Sequence, residues 1–245
     1  MVGREYIAKV IENIKRAYDE QTETLDSVSS FIAKTIERKN NVFVFGCSHA
    51  GILAEEVFYR TGGLAVINPV FHPSLTLNAR PVTLTSTAER TPGLGREIFE
   101  QNGIKQGDLL IIHSASGRNS VPVDMALRAK ESGVATVCIT NLTYSSSVSS
   151  RHPSGKRLFE VCDTVIDNKG EIGDVSVEVP GLPEKMGPTS TAVGAAIINA
   201  LVIEAVETMI ADGFVPPVFM SANLDGCDAH NARIFEEYKD NIFYM

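Results

Sequence analysis

Residues 109–122, Leu-Leu-Ile-Ile-His-Ser-Ala-Ser-Gly-Arg-Asn-Ser-Val-Pro, constrain the fold more than any other stretch of the chain. The four apolar residues Leu109 to Ile112 predict a strand buried on both faces. Small and hydroxyl residues follow (Ser114, Ser116, Gly117, Asn119, Ser120). Pro122 then stands where a first helical turn tolerates proline, with Asn119 or Ser120 as cap and a helical pattern onward to Lys130. The first N–H groups of such a helix lack intrahelical acceptors and sit at the positive end of its dipole, and serine hydroxyls add donors. This turn is therefore either a cradle for phosphate or a serine-rich capped turn of similar appearance.

A second unit of the same kind begins at Asn41. The strand Val42–Phe45 runs into Gly46-Cys47-Ser48-His49-Ala50-Gly51 and an apolar helix over 52–60. The turn has neither G-K-[S/T] nor G-x-G-x-x-G, which argues against a nucleotide P-loop and a dinucleotide site. It nearly matches the G-x-S-x-G nucleophile elbow, with Ala50 where the second glycine belongs, so a serine hydrolase is a minor alternative. Cys47 is either a thiol activated by a helix N-terminus or a buried structural one. Glu55 and Glu56, adjacent on the helix, point about 100° apart, so only one is expected to face a pocket.

Further strands are predicted at 64–67, 134–140 and 164–167, with helices at 97–101, 158–162 and 191–210 and an amphipathic terminal helix over 228–242. Residues 4–38 carry an unbroken apolar stripe (Ile7, Ile11, Ile14, Tyr18, Leu25, Val28, Ile32, Ile36). It predicts one long packing helix, laid on the body of the domain or on another subunit. Residues 68–95, rich in Pro, Thr and Ser, are expected to cross the carboxyl edge of the sheet; His72 and Arg90 are its polar candidates. Alternating strands and helices imply right-handed βαβ units and a doubly wound parallel sheet of α/β class. The chain is expected to be a single domain, with an N-terminal helix over 1–40, a core over 41–212 and a helical tail over 213–245. Both serine turns leave strand carboxyl ends, so both should face one crevice.

A net charge of −8 argues against nucleic acid or an anionic membrane as partner. No apolar run was expected to reach membrane length, and the N-terminus does not read as a signal peptide, which makes the cytoplasm the expected location. Cys47, Cys138, Cys162 and Cys227 are scattered without C-x-x-C, and no H-x-x-x-H occurs, so no metal site is expected.

The turn at 46–51, the Ser-x-Ser-Gly-x-x-Ser turn at 114–120 and Thr140-Asn141 together resemble the sugar isomerase (SIS) domain family, over roughly residues 30–210. The segments 152–158 and 221–231 resemble an uncharacterised subgroup of that family. The resemblance implies a flavodoxin-like five-stranded sheet, a homodimer or higher oligomer, a sugar phosphate as ligand, and neither metal nor organic cofactor. It further implies that Ser114, Ser116 and Ser120, with the N–H groups of Gly117 to Ser120, hold phosphate, and that Ser48 touches sugar or phosphate; His49 and Asn119 complete that set. An aldose–ketose isomerase needs a base that moves a proton between C1 and C2 through an enediol. Carried over with small offsets, the candidates are Glu56, Glu184 and, for ring opening, His230. Each has a bland counterpart: an ion pair for Glu56, a solvated loop for Glu184, a helix cap for His230. An etherase or lyase and a non-catalytic phosphosugar sensor are the alternative functions.

Overall fold

The computed structural model describes all residues 1–245. Its centre is a five-stranded, all-parallel sheet of order β2-β1-β3-β4-β5, the flavodoxin-like order. The strands are β1 (Val42–Gly46), β2 (Ile67–Val70), β3 (Leu109–His113), β4 (Ala135–Thr140) and β5 (Thr164–Asp167). The helices are α1 (Val2–Asp19), α2 (Thr22–Glu37), α3 (Ile52–Val57), α4 (Leu84–Ala88), α5 (Leu94–Gln101), α6 (Ser120–Glu131), α7 (Leu142–Ser147), α8 (Ser190–Ala211) and α9 (Cys227–Glu237). Strand alternation divides the core. Val42, Val44, Leu109, Ile111, Val137 and Ile139 pack with α2, α3, α8 and α9. Phe43, Phe45, Leu110, Ile112 and Cys138 pack with α5 and α6 on the other face.

Several elements differ from expectation for reasons distant in sequence. The N-terminal stripe forms two helices, because the Gln21 side chain docks on the end of β5. Its amide donates to the Ala17 and Asp167 carbonyls, both at 2.8 Å, and accepts from the Asp167 N–H at 2.8 Å. The second strand is Ile67–Val70 and not 64–67. Pro69 sits within it, which an edge strand tolerates because one side of its ladder is unpaired; Leu64 instead bridges antiparallel to Val218. The helix after β1 stops at Val57, preceded by a 3₁₀ turn over Ser48–Gly51. The serine-rich stretch after β4 contains α7, whose N-terminus Asn141 caps by accepting the Tyr144 N–H at 2.9 Å. Contrary to expectation, one helix, α8, is long and apolar enough to cross a membrane by length and composition, with a mean hydropathy of 1.8. Here it lies against the core through Val193, Ile197, Leu201 and Ala205.

Gln21 joins the helical arm to the sheet through main-chain groups, so replacing it leaves β5 partners unpaired. Gln21→Ala is expected to lower the unfolding free energy by about 1–3 kcal/mol in urea titration.

Candidate functional site

The turn after β3 is fixed from behind. The Thr140 hydroxyl donates to the Ser114 carbonyl at 2.7 Å and to that of Ala115 at 3.2 Å. The Ala115 carbonyl also accepts from the Asn141 N–H at 3.2 Å, that of Gly117 from the Leu158 N–H at 2.8 Å, and that of Arg118 from the Arg151 N–H at 2.7 Å. A peptide whose carbonyl is drawn one way presents the next N–H the other way. The N–H groups of Ser116, Arg118, Asn119 and Ser120 accordingly meet no acceptor within the protein. Gly117 adopts φ +58, and a Cβ there would lie 2.8 Å from the Ser145 hydroxyl, so only glycine fits the turn. Four free amides at the N-terminus of the twelve-residue α6 form an anion nest.

The serines divide their work. Ser114 Oγ accepts from the Gly117 N–H at 3.2 Å, and Ser120 Oγ, fully buried, donates to the Arg151 carbonyl at 3.4 Å. Ser116 is half-buried and its hydroxyl is uncommitted. Of the N–H groups expected to face a ligand, that of Gly117 is thus already taken.

Beside this nest, β1 ends at Gly46, where a Cβ would come within 2.3 Å of the Ala50 carbonyl. Ser48 follows in the left-handed region at φ +53, a costly conformation for serine. His49 is exposed and Ser48 half-buried; no histidine hydrogen-bonds Ser48, so the hydrolase constellation is not assembled. Cys47 is buried, and burial pushes its thiol well above the ordinary value, with the nearby Glu89 adding to the effect, so it is not an activated nucleophile.

His113 closes β3 opposite Gly46. It is 1% exposed; Nδ1 donates to the Ala50 carbonyl at 3.1 Å, which leaves Nε2 buried and unpartnered. Burial lowers its pKa, against the pull of the Ala50 carbonyl and of Asp174. Asp174 caps α8, accepting from the N–H groups of Thr189 (3.1 Å) and Ser190 (2.9 Å) and from the Ser190 hydroxyl (2.5 Å). On the α6 side, Glu89 contributes its carbonyl to the Val121 N–H at 3.0 Å, and its carboxyl lies near the Asn119 side chain. Burial raises that carboxyl above the ordinary 4.5, although Asn119, Arg90 and Arg151 pull the other way.

The catalytic candidates do not converge in one protomer. Glu56 ion-pairs with Arg60 and accepts from Asn199 Nδ2 at 3.0 Å, whereas its neighbour Glu55 faces a cavity of about 840 Å³ shared with Phe58, Phe71 and His72. Glu184 is exposed at the tip of the 178–185 loop. His230 Nε2 donates to the Val218 carbonyl at 2.9 Å; Val218 bridges Leu64, just before β2 begins, which places His230 at the end of the sheet away from both turns. Sequence reading passed over His113, Glu89 and Arg151. For His113 the signal was present: a titratable side chain directly ending a buried apolar run. For the other two it was absent, because only the fold carries them to α6.

These features define an α/β protein with a doubly wound parallel sheet whose topological switch point lies between β1 and β3. The chain belongs to the SIS-domain family, whose model matches residues 5–141. It is 48% identical to the UPF0309 protein of Oceanobacillus iheyensis over 242 residues, 99% of this chain and 98% of that one. A 48% identity also links it to the UPF0309 protein of Shouchella clausii, across 98% of both. Among solved structures it is similar in fold to a phosphoheptose isomerase from Neisseria gonorrhoeae (TM-score 0.47, 14% identity, covering 86% of this chain and 96% of that one). Another is the Vibrio vulnificus NanR protein complexed with ManNAc-6P (TM-score 0.48, 16% identity, 99% and 66%).

A folded-state histidine pKa below 6.5 gives stability that is present above that value and lost as pH falls. Urea unfolding is expected to show a steeper loss of stability between about pH 7.5 and about pH 5 for the natural protein than for His113→Gln. Parallel slopes would mean that His113 is not buried in its neutral form.

Proposed function

We propose that this protein binds a sugar phosphate with the phosphate on the α6 nest, and that it is an aldose–ketose isomerase working through an enediol. The observation that carries the binding reading is the set of four unpartnered main-chain N–H groups at the N-terminus of α6, with the free Ser116 hydroxyl beside them. Membership of the SIS-domain family supports it.

For the proton transfer, Glu89 is the carboxylate the geometry favours. It lies beside Asn119 at the nest, and burial has moved its pKa upward, the direction that makes a carboxylate a better base. It would take the C2 proton of the aldose, leaving an enediolate that becomes the enediol on protonation at O1, and return the proton to C1 as the O2 hydroxyl gives up its proton to form the ketone. Glu55 faces the cavity it shares with Phe58, Phe71 and His72; His113 Nε2 is a free acceptor at the strand end. In this reading Glu56 orients α3 against α8 through Asn199, and Glu184 and His230 take part only if a second copy brings them in. The exposed Ile7 and Ile11 of α1 and Ile203 and Ile210 of α8 support a homodimer, and the cytoplasm is its natural compartment.

The binding reading is tested by thermal shift against hexose, heptose and N-acetylhexosamine phosphates, each beside its unphosphorylated form. Only phosphorylated members are expected to raise the melting temperature. Ser116→Ala is expected to weaken their binding by roughly 1–3 kcal/mol without lowering the melting temperature of the free protein. For the catalytic reading, solvent hydrogen exchange at sugar C2 reports the enediol directly. Exchange should rise with pH through a value above 4.5 and be lost in Glu89→Gln, which keeps phosphosugar binding. Binding without exchange would identify a sensor.

A further inference from the structure

We infer that the ligand carries a second anionic group, a carboxylate or a further phosphate, held by the guanidinium groups of Arg90, Arg118 and Arg151 at the rim of the α6 nest. The inference rests on the phosphosugar reading and adds a substrate class to it.

Three separate segments bring these arginines to the first turn of α6. Arg118 belongs to the nest turn itself, with Nε on the Ser149 carbonyl at 2.9 Å. Arg151 donates its N–H to the Arg118 carbonyl at 2.7 Å and its Nη1 to Asn119 Oδ1 at 3.0 Å. Arg90 follows Glu89, whose carbonyl accepts the Val121 N–H. None of the three makes an ion pair, as is also true of the scattered Arg4, Arg38, Arg80 and Arg233, whereas Arg16, Arg60, Arg96, Arg128 and Arg157 each have a carboxylate partner; what sets the three apart is that they meet at one place. In a chain with a net charge of −8, three unpaired guanidiniums gathered at one rim are not a generic surface feature. Their mutual repulsion shows in Arg151, which burial and the charges of Arg118 and Arg90 draw below its ordinary value.

The arrangement is also rigid. The segment bearing Arg151 is fastened through Ser120 Oγ on its carbonyl, and through His152, whose Nε2 meets buried Asp124 Oδ1 at 3.0 Å. The guanidinium is therefore positioned before a ligand arrives, so its contact loses little to side-chain ordering. The nest amides and Ser116 suffice for one phosphate, which leaves the arginines for another anion.

Isothermal titration with matched pairs tests this. Sorbitol 6-phosphate and 6-phosphogluconate differ by a carboxylate at one end; fructose 6-phosphate and fructose 1,6-bisphosphate differ by a phosphate. At least one doubly anionic member should bind about tenfold or more tighter than its partner, and the pair showing the gain tells carboxylate from phosphate. In R90Q/R151Q the gain should vanish while the singly anionic member binds as before. Equal affinities within both pairs, or a gain that survives in the variant, would overturn the inference and leave the nest reading standing. Failure of all four compounds to bind would remove both.

Discussion

Hydrogen bonds that draw the carbonyls of Ser114, Ala115, Gly117 and Arg118 toward β4 and the 149–158 segment are what the site geometry depends on. They orient the intervening amides without using any of them, so the nest is a property of main chain held by main chain and one threonine. Thr140 is fully buried, and its hydroxyl serves two carbonyls at once. The sheet order adds the second condition: β1 and β3 are neighbours, so the turns that leave them face each other across one crevice.

Electrostatics in this crevice follow from burial. Low surrounding polarity disfavours charge on three titratable groups near the strand ends, lowering the pKa of His113 and raising those of Glu89 and Cys47. The same poor screening strengthens the field of the α6 N-terminus on groups beside it. Groups kept near neutrality and fixed positive dipoles thus occupy adjacent places, which suits proton transfer next to a bound phosphate.

The strands β1, β3, β4 and β5 were legible because buried runs such as Leu109–Ile112 and Thr164–Asp167 have only one comfortable place in a parallel sheet. The class of the fold and the meeting of the two serine turns followed from them. What stayed hidden was set by partners far along the chain. The break after Asp19 is made by Gln21 reaching Asp167, and no local breaker announces it. Pro69 disguised an edge strand. The choice between Glu55 and Glu56 turned on Arg60 and Asn199, and the latter lies more than a hundred residues away. His230 was chosen for its chemistry alone, which says nothing of the end of the sheet on which a residue falls.

The 149–158 segment reaches the nest through its own main chain: the Arg151 and Leu158 N–H groups donate to it and the Arg151 carbonyl accepts from it. His152 is the side chain that adds to this main-chain grip, through buried Asp124; the exposed Arg151 can be exchanged while the grip is kept. A lineage built on this scaffold has a rim whose side-chain chemistry can drift while the main-chain geometry of the turn stays as it is.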